Sequence, residues 1–130
     1  MSTIEEVMDA VISMANETNP FAPVHRGALK TAPDVCCELD PSAPLMVFMT
    51  KNTVVPLAVV FNAKHQSLDE ALEVLHAIHR GMAKRKAFPS TDRWQIVDIA
   101  ASTAPRKIGR ESDNTWLTAC ELTVKIFDKE

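Results

Sequence analysis

The sequence predicts an α+β fold: a mixed, mainly antiparallel sheet packed by two helices, with a long C-terminal β-hairpin. Three observations carry this. Two stretches, 2–16 and 67–86, place apolar residues at helical spacing behind an N-capping pattern. Short apolar runs bounded by turn residues lie between and after them. Near the C-terminus, Trp116, Cys120, Leu122, Val124 and Ile126 share one face of an extended segment, opposite Glu121, Thr123 and Lys125. That alternation belongs to a strand with one solvated side.

A chain of 130 residues fits one domain, 1–130, with room for a single core. Its 46% hydrophobic and 24% charged residues are the balance of an ordinary globule. The longest apolar-leaning run, 54–61, holds eight residues including Pro56 and is too short to cross a bilayer. The acidic opening Ile4-Glu5-Glu6-Val7 lacks the basic and apolar regions of a secretory signal. A net charge of −3 weighs against a dedicated nucleic-acid binder. Three cysteines, two of them adjacent at Cys36 and Cys37, fit a reducing cytosol better than a disulfide framework.

In the first helix, Ser2 and Glu5 form a capping-box pattern, and Ile4, Val7, Met8, Val11, Ile12 and Ala15 mark the apolar stripe. Glu5, Glu6 and Asp9 load its start with charge that suits the helix dipole, and Thr18-Asn19-Pro20 ends it. Prolines at 20, 23, 33, 41 and 44 keep the next segment looped or extended. Short strands are predicted there at 35–39, 45–49 and 54–61, with Pro56 at an edge or near a strand end.

The second helix begins at Ser67, where Ser67 and Glu70 repeat the capping box. Leu68, Ala71, Leu72, Leu75, Ile78 and Met82 form its buried stripe, and each large side chain contributes roughly 1.5–3 kcal/mol on burial. The cations Lys84 to Lys86 suit its C-terminus, and Pro89 stops it. A strand over 94–103, a polar connection over 104–115 and a returning strand over 116–127 complete the chain. Two arms of about ten residues would each be roughly 33 Å long, against a radius of gyration of about 14 Å for this length. Such a hairpin curls around the sheet or projects beyond it, which favours an assembly role.

Chemistry-bearing residues are sparse. His76 and His79 lie three apart on the second helix with His65 just before it, but neither CxxC nor HExxH occurs, so they are packing histidines and no metal site is expected. Cys36-Cys37 is not a redox pair, and Cys120 sits on an apolar strand face. With only three glycines, no phosphate-cradling loop is expected. The chain therefore carries no expected catalytic residue and no expected cofactor. Arg80, Lys84, Arg85 and Lys86 offer an alternative as a DNA-backbone contact, yet aromatic company is thin and a cationic helix end explains them. Arg106, Lys107, Arg110, Glu111 and Asp113 crowd the hairpin connection with both signs of charge, the composition of a surface that sets register with a partner. A connection of about twelve residues without its own structure strengthens that interface reading.

The run from Ser67 to Phe127 resembles the tail-terminator (minor capsid) proteins of siphophages and prophages. The resemblance rests on the order of features: the helix 68–79, the basic Lys84-Arg85-Lys86, the strand 94–99, the stretch 102–110 and the return 116–124. It covers the C-terminal half. It implies a structural, non-enzymatic homo-oligomer, a ring that is often hexameric, built from a helix-backed mixed sheet. Such a ring caps the tail tube, ends its polymerisation and joins it to the head connector, with DNA passing through as cargo. It also implies a place in the virion at the head–tail junction, reached from the bacterial host cytoplasm during assembly.

Overall fold

The computed structural model describes residues 3–39 and 54–128. In chain order the elements are α1 (Thr3–Asn16), β1 (Val24–Arg26), β2 (Asp34–Leu39), β3 (Val54–His65), α2 (Leu68–Ala83), β4 (Trp94–Arg110) and β5 (Trp116–Asp128). The strands form one five-stranded sheet in the order β1-β2-β3-β5-β4. Only the β1–β2 pair is parallel, so the sheet is mixed and mainly antiparallel, as the sequence predicts. The strand expected over 45–49 lies outside the described residues.

Both helices lie where their periodicity predicts, and Ser2, the expected cap of α1, lies outside the described residues. In α1, Val7, Met8, Val11, Met14 and Ala15 are buried. Its last residue is tied to the sheet: the Asn16 side chain accepts the Val24 N–H at 2.8 Å. Ser67 caps α2 by accepting the Glu70 N–H at 3.3 Å. The expected reciprocal bond from Glu70 gives way to another, in which the Ser67 N–H donates to His65 Nδ1 at 2.9 Å. The helix ends at Lys84, whose N–H reaches the Arg80 carbonyl at 3.0 Å.

The buried stripe of α2 is Ala71, Val74, Leu75, Ile78 and Met82, which corrects the expected one at Leu72 and Leu68, both only half-buried. The cause is a second neighbour. While α2 lies on β3, β4 and β5, Val74 faces the Thr18–Phe21 segment that follows α1. His79 is half-buried, as a packing histidine should be, whereas His76 is exposed.

The core fills the space between the helices and one face of the sheet. Val59 and Phe61 of β3, Leu122, Val124 and Ile126 of β5, and Trp94, Ile96 and Ile99 of β4 form its sheet side. The β5 alternation read from the sequence holds, with Trp116 half-buried at its end. Buried Thr118 lies on the same face, and its hydroxyl donates to the Ala71 carbonyl of α2 at 3.0 Å, a bond in a dry site that fixes helix to sheet.

The hairpin differs most from expectation. The segment expected as a loop over 104–115 is strand as far as Arg110, and only 111–115 turn. Asn114 supplies the left-handed residue there at φ 65°, which asparagine tolerates better than most. The arms are 17 and 13 residues long. β4 absorbs the excess through register shifts at Ile96/Asp98, Ala101/Thr103, Thr103/Arg106 and Lys107/Gly109. Each leaves an extra residue out of the ladder, and such bulges bend and twist a strand.

The arms do not project beyond the sheet. β5 is paired along its length with β3, from Val54↔Phe127 to His65↔Trp116. Among the described residues β4 is the edge strand, and its start is covered by the Ser90↔Gln95 bridge and the bond from Ile96 N–H to the Pro89 carbonyl. From Val97 to Arg110 no described strand pairs with its outer side. Pro56, expected near a strand end, lies beyond the last described β2 pairing, Leu39↔Val59.

Candidate functional site

The five charged residues singled out in the sequence lie around the hairpin turn, but the structure divides them into three groups. Lys107 and Arg110, near the end of β4, stand over the Trp116 ring, with Nζ of Lys107 5.6 Å and Cζ of Arg110 5.2 Å from its centroid. Two cations on one indole are attracted by its negative face. Arg110 also donates to Asn114 Oδ1 at 3.1 Å, across the turn.

Glu111 and Asp113 point at another partner. Lys64 of β3 places its Nζ 3.4 Å from Glu111 and 3.5 Å from Asp113. Thr115 donates its hydroxyl and N–H to Asp113, and with Lys64 these donors hold its carboxyl below the usual carboxylate range, against the opposing effect of burial. Burial works against the Lys64 ammonium, but the two carboxylates outweigh it and raise it above its ordinary value. Arg106 belongs to neither group. It is exposed and lines a shallow depression with Val60, Thr103, Ala119, Cys120 and Glu121.

The tip is therefore two-sided. Trp116 lies in register with His65 and on the side of the sheet that Thr118 and Cys120 share with α2, and its two cations go with it. Lys64 and its carboxylates lie one residue out of phase, toward the other side. Between the two groups Ile108, at the last register shift, is 50% exposed, and Val97, at the first, is 40% exposed. The only other exposed large hydrophobic among the described residues is Val54. Thus both large apolar side chains that β4 offers to solvent are residues expelled from its ladder.

The basic end of α2 offers less. Arg85 is engaged, donating to the Ala87 carbonyl at 2.8 Å and to Glu17 at 3.3 Å. Arg80, Lys84 and Lys86 are exposed. Burial pushes the Cys36 thiol up to about 11, helped by the charges of Asp34 and Glu38, and burial pushes Cys37 and Cys120 up to about 12. Thiols so shifted are poor nucleophiles at neutral pH. Among the described residues no three His, Cys, Asp or Glu side chains are grouped to hold a metal, and no helix is long and apolar enough to cross a membrane.

Sequence reasoning missed two arrangements. His25 Nε2 lies 2.7 Å from Asp34 Oδ2, which also accepts the Lys30 N–H at 2.7 Å. Burial alone would raise the Asp34 carboxyl, but these partners hold it below its ordinary 3.8. The pair pins β1 beside β2, and the proline-punctuated sequence around it carries no periodicity that could have revealed it. The second is the Trp116 cage. Its signal is present, an aromatic just after a turn with cations just before it, but the sequence pattern puts those cations in a loop.

The fold and this site together define an α+β protein whose sheet, among the described residues, ends in a bulged edge strand with a charged tip. No protein-family model matches the chain, and no curated protein matches it.

Proposed function

We propose that this protein is a structural subunit that closes with copies of itself into a ring, of the tail-terminator kind that caps a phage tail tube and joins it to the head connector. The observation that carries the reading is the side of β4 from Val97 to Arg110 with which no described strand pairs, with Val97 and Ile108 exposed along it. A long free edge bearing apolar residues invites a partner, and monomeric proteins normally cover or shorten one. The sequence resemblance of residues 67–127 turns this general argument for assembly toward a tail terminator. In that reading the ring is a hexamer, DNA passes through its lumen, and the protein acts in the virion without catalysing a reaction. The high thiol pKa values at Cys36, Cys37 and Cys120 accord with such a non-catalytic role.

The test is light scattering after size exclusion over a range of protein concentrations, alone and with purified tail-tube protein. A closed oligomer of fixed mass, or one that forms at tube ends, is the expected result. A protein that stays monomeric throughout and ignores tubes defeats the proposal.

A further inference from the structure

A ring needs two different surfaces on each subunit, one meeting the other on the neighbour. One is the cationic tip already described: Lys107 and Arg110 on Trp116, with Ile108 exposed between them. A surface of complementary chemistry exists elsewhere. The Thr18–Phe21 segment and the outer side of α2 enclose an open groove of about 230 Å³. Its walls are Pro20, Phe21, Val74 and Ala77, and Glu70 and Glu73 stand on it, both exposed. Neither glutamate forms an ion pair with a described residue, and neither do Lys107 and Arg110.

The placement suits a cyclic contact. A ring contact needs two different surfaces on each subunit, not one patch meeting its own copy. The groove lies over the middle strand β3, because Phe21 packs on His65 at 4.9 Å, and its other wall is α2. The tip belongs to the edge strand β4 and the turn after it, at the same end of the sheet, since His65 is the register partner of Trp116. We infer that the groove of one subunit receives the Lys107–Arg110 tip of the next. Ile108 enters against Phe21 and Val74, and the two cations meet Glu70 and Glu73. This inference rests on the ring reading and names its contact.

A charge-swap experiment tests it. One variant carries Lys107→Glu and Arg110→Glu, a second carries Glu70→Lys and Glu73→Lys, and both are checked for native circular dichroism and melting. At a concentration where the wild type is assembled, each variant alone should dissociate, its association weakened tenfold or more. An equimolar mixture should reassemble, because every contact in an alternating ring is then again between opposite charges. A folded variant that assembles like the wild type, or a mixture that stays dissociated, overturns the contact and leaves the ring reading standing. A wild type that is monomeric with and without tubes removes the ring reading itself.

Discussion

The two halves of β4 are continuous in the chain and paired to the same strand, yet they are held by different forces. The first half places Trp94, Ile96 and Ile99 in the core, each at most 2% exposed. From Thr103 to Arg110 no side chain is buried. That half is held by its ladder to β5, by the Trp116 cage, and through the turn by Lys64. Three of the four register shifts also fall at or beyond Ala101. The first half is thus part of the fold's hydrophobic interior, and the second is a charged extension whose outer side no described strand pairs with. A structure that spends no apolar burial on a strand but keeps it ordered leaves that strand available for a partner.

The sharpest way to break this contrast is to empty the core under the first half. Ile96→Ala removes a side chain that is 1% exposed and should cost about 2–5 kcal/mol. Denaturant unfolding reads it directly, and a loss under about 1 kcal/mol would mean the first half is anchored no better than the second. Hydrogen exchange on the wild type sharpens the same point, because amides of 103–110 should open well below the global unfolding free energy while those near Ile96 open with it.

The same contrast explains what the sequence disclosed. The α+β class, both helices and the β5 alternation follow from periodicity and capping, since each buries a stripe that composition records. Residues 103–110 bury nothing, so they carry no period-2 pattern, and Pro105 and Gly109 look like loop residues. Their strand state is imposed by β5, whose own pattern is legible. β1 escapes for a related reason, since its three residues are set by the parallel register with β2 and by the Asn16 and His25–Asp34 contacts. At the tip the crowding of charge is plain in the sequence, but its division between Trp116 and Lys64 depends on which side of a strand each residue occupies. A loop has no sides to assign.

Smaller effects should come from the contacts that hold the tip. Trp116→Leu keeps an apolar body at a half-buried position but removes the ring face under Lys107 and Arg110. It should cost on the order of 1 kcal/mol. If adding Lys107→Met costs as much on top of Trp116→Leu as it does in the wild type, the two residues do not interact and the cage is only proximity.

Acid should affect the tip through Asp113. Because its folded pKa is depressed, it stabilises the protein above its unfolded pKa of about 3.9, and that contribution is lost as pH falls through the lower folded value. Asp113→Asn should therefore lower the melting temperature near neutral pH and make little difference in strong acid. A difference that does not shrink with acid would mean that the substitution acts through something other than the ionised carboxylate, which Thr115 and Lys64 stabilise.

The smallest effect on folding is expected at Ile108, and there the two halves separate most clearly. Its side chain is 50% exposed and sits at a register shift, so Ile108→Ser removes little buried area and should change stability by no more than about 0.5 kcal/mol. If the outer half of β4 exists to meet a partner, the same substitution should weaken self-association far more than it weakens the fold. Unfolding curves and sedimentation on one preparation give both numbers. A variant with lost stability and intact assembly would place Ile108 in the protein's own packing, and the free edge would then have to be explained without it.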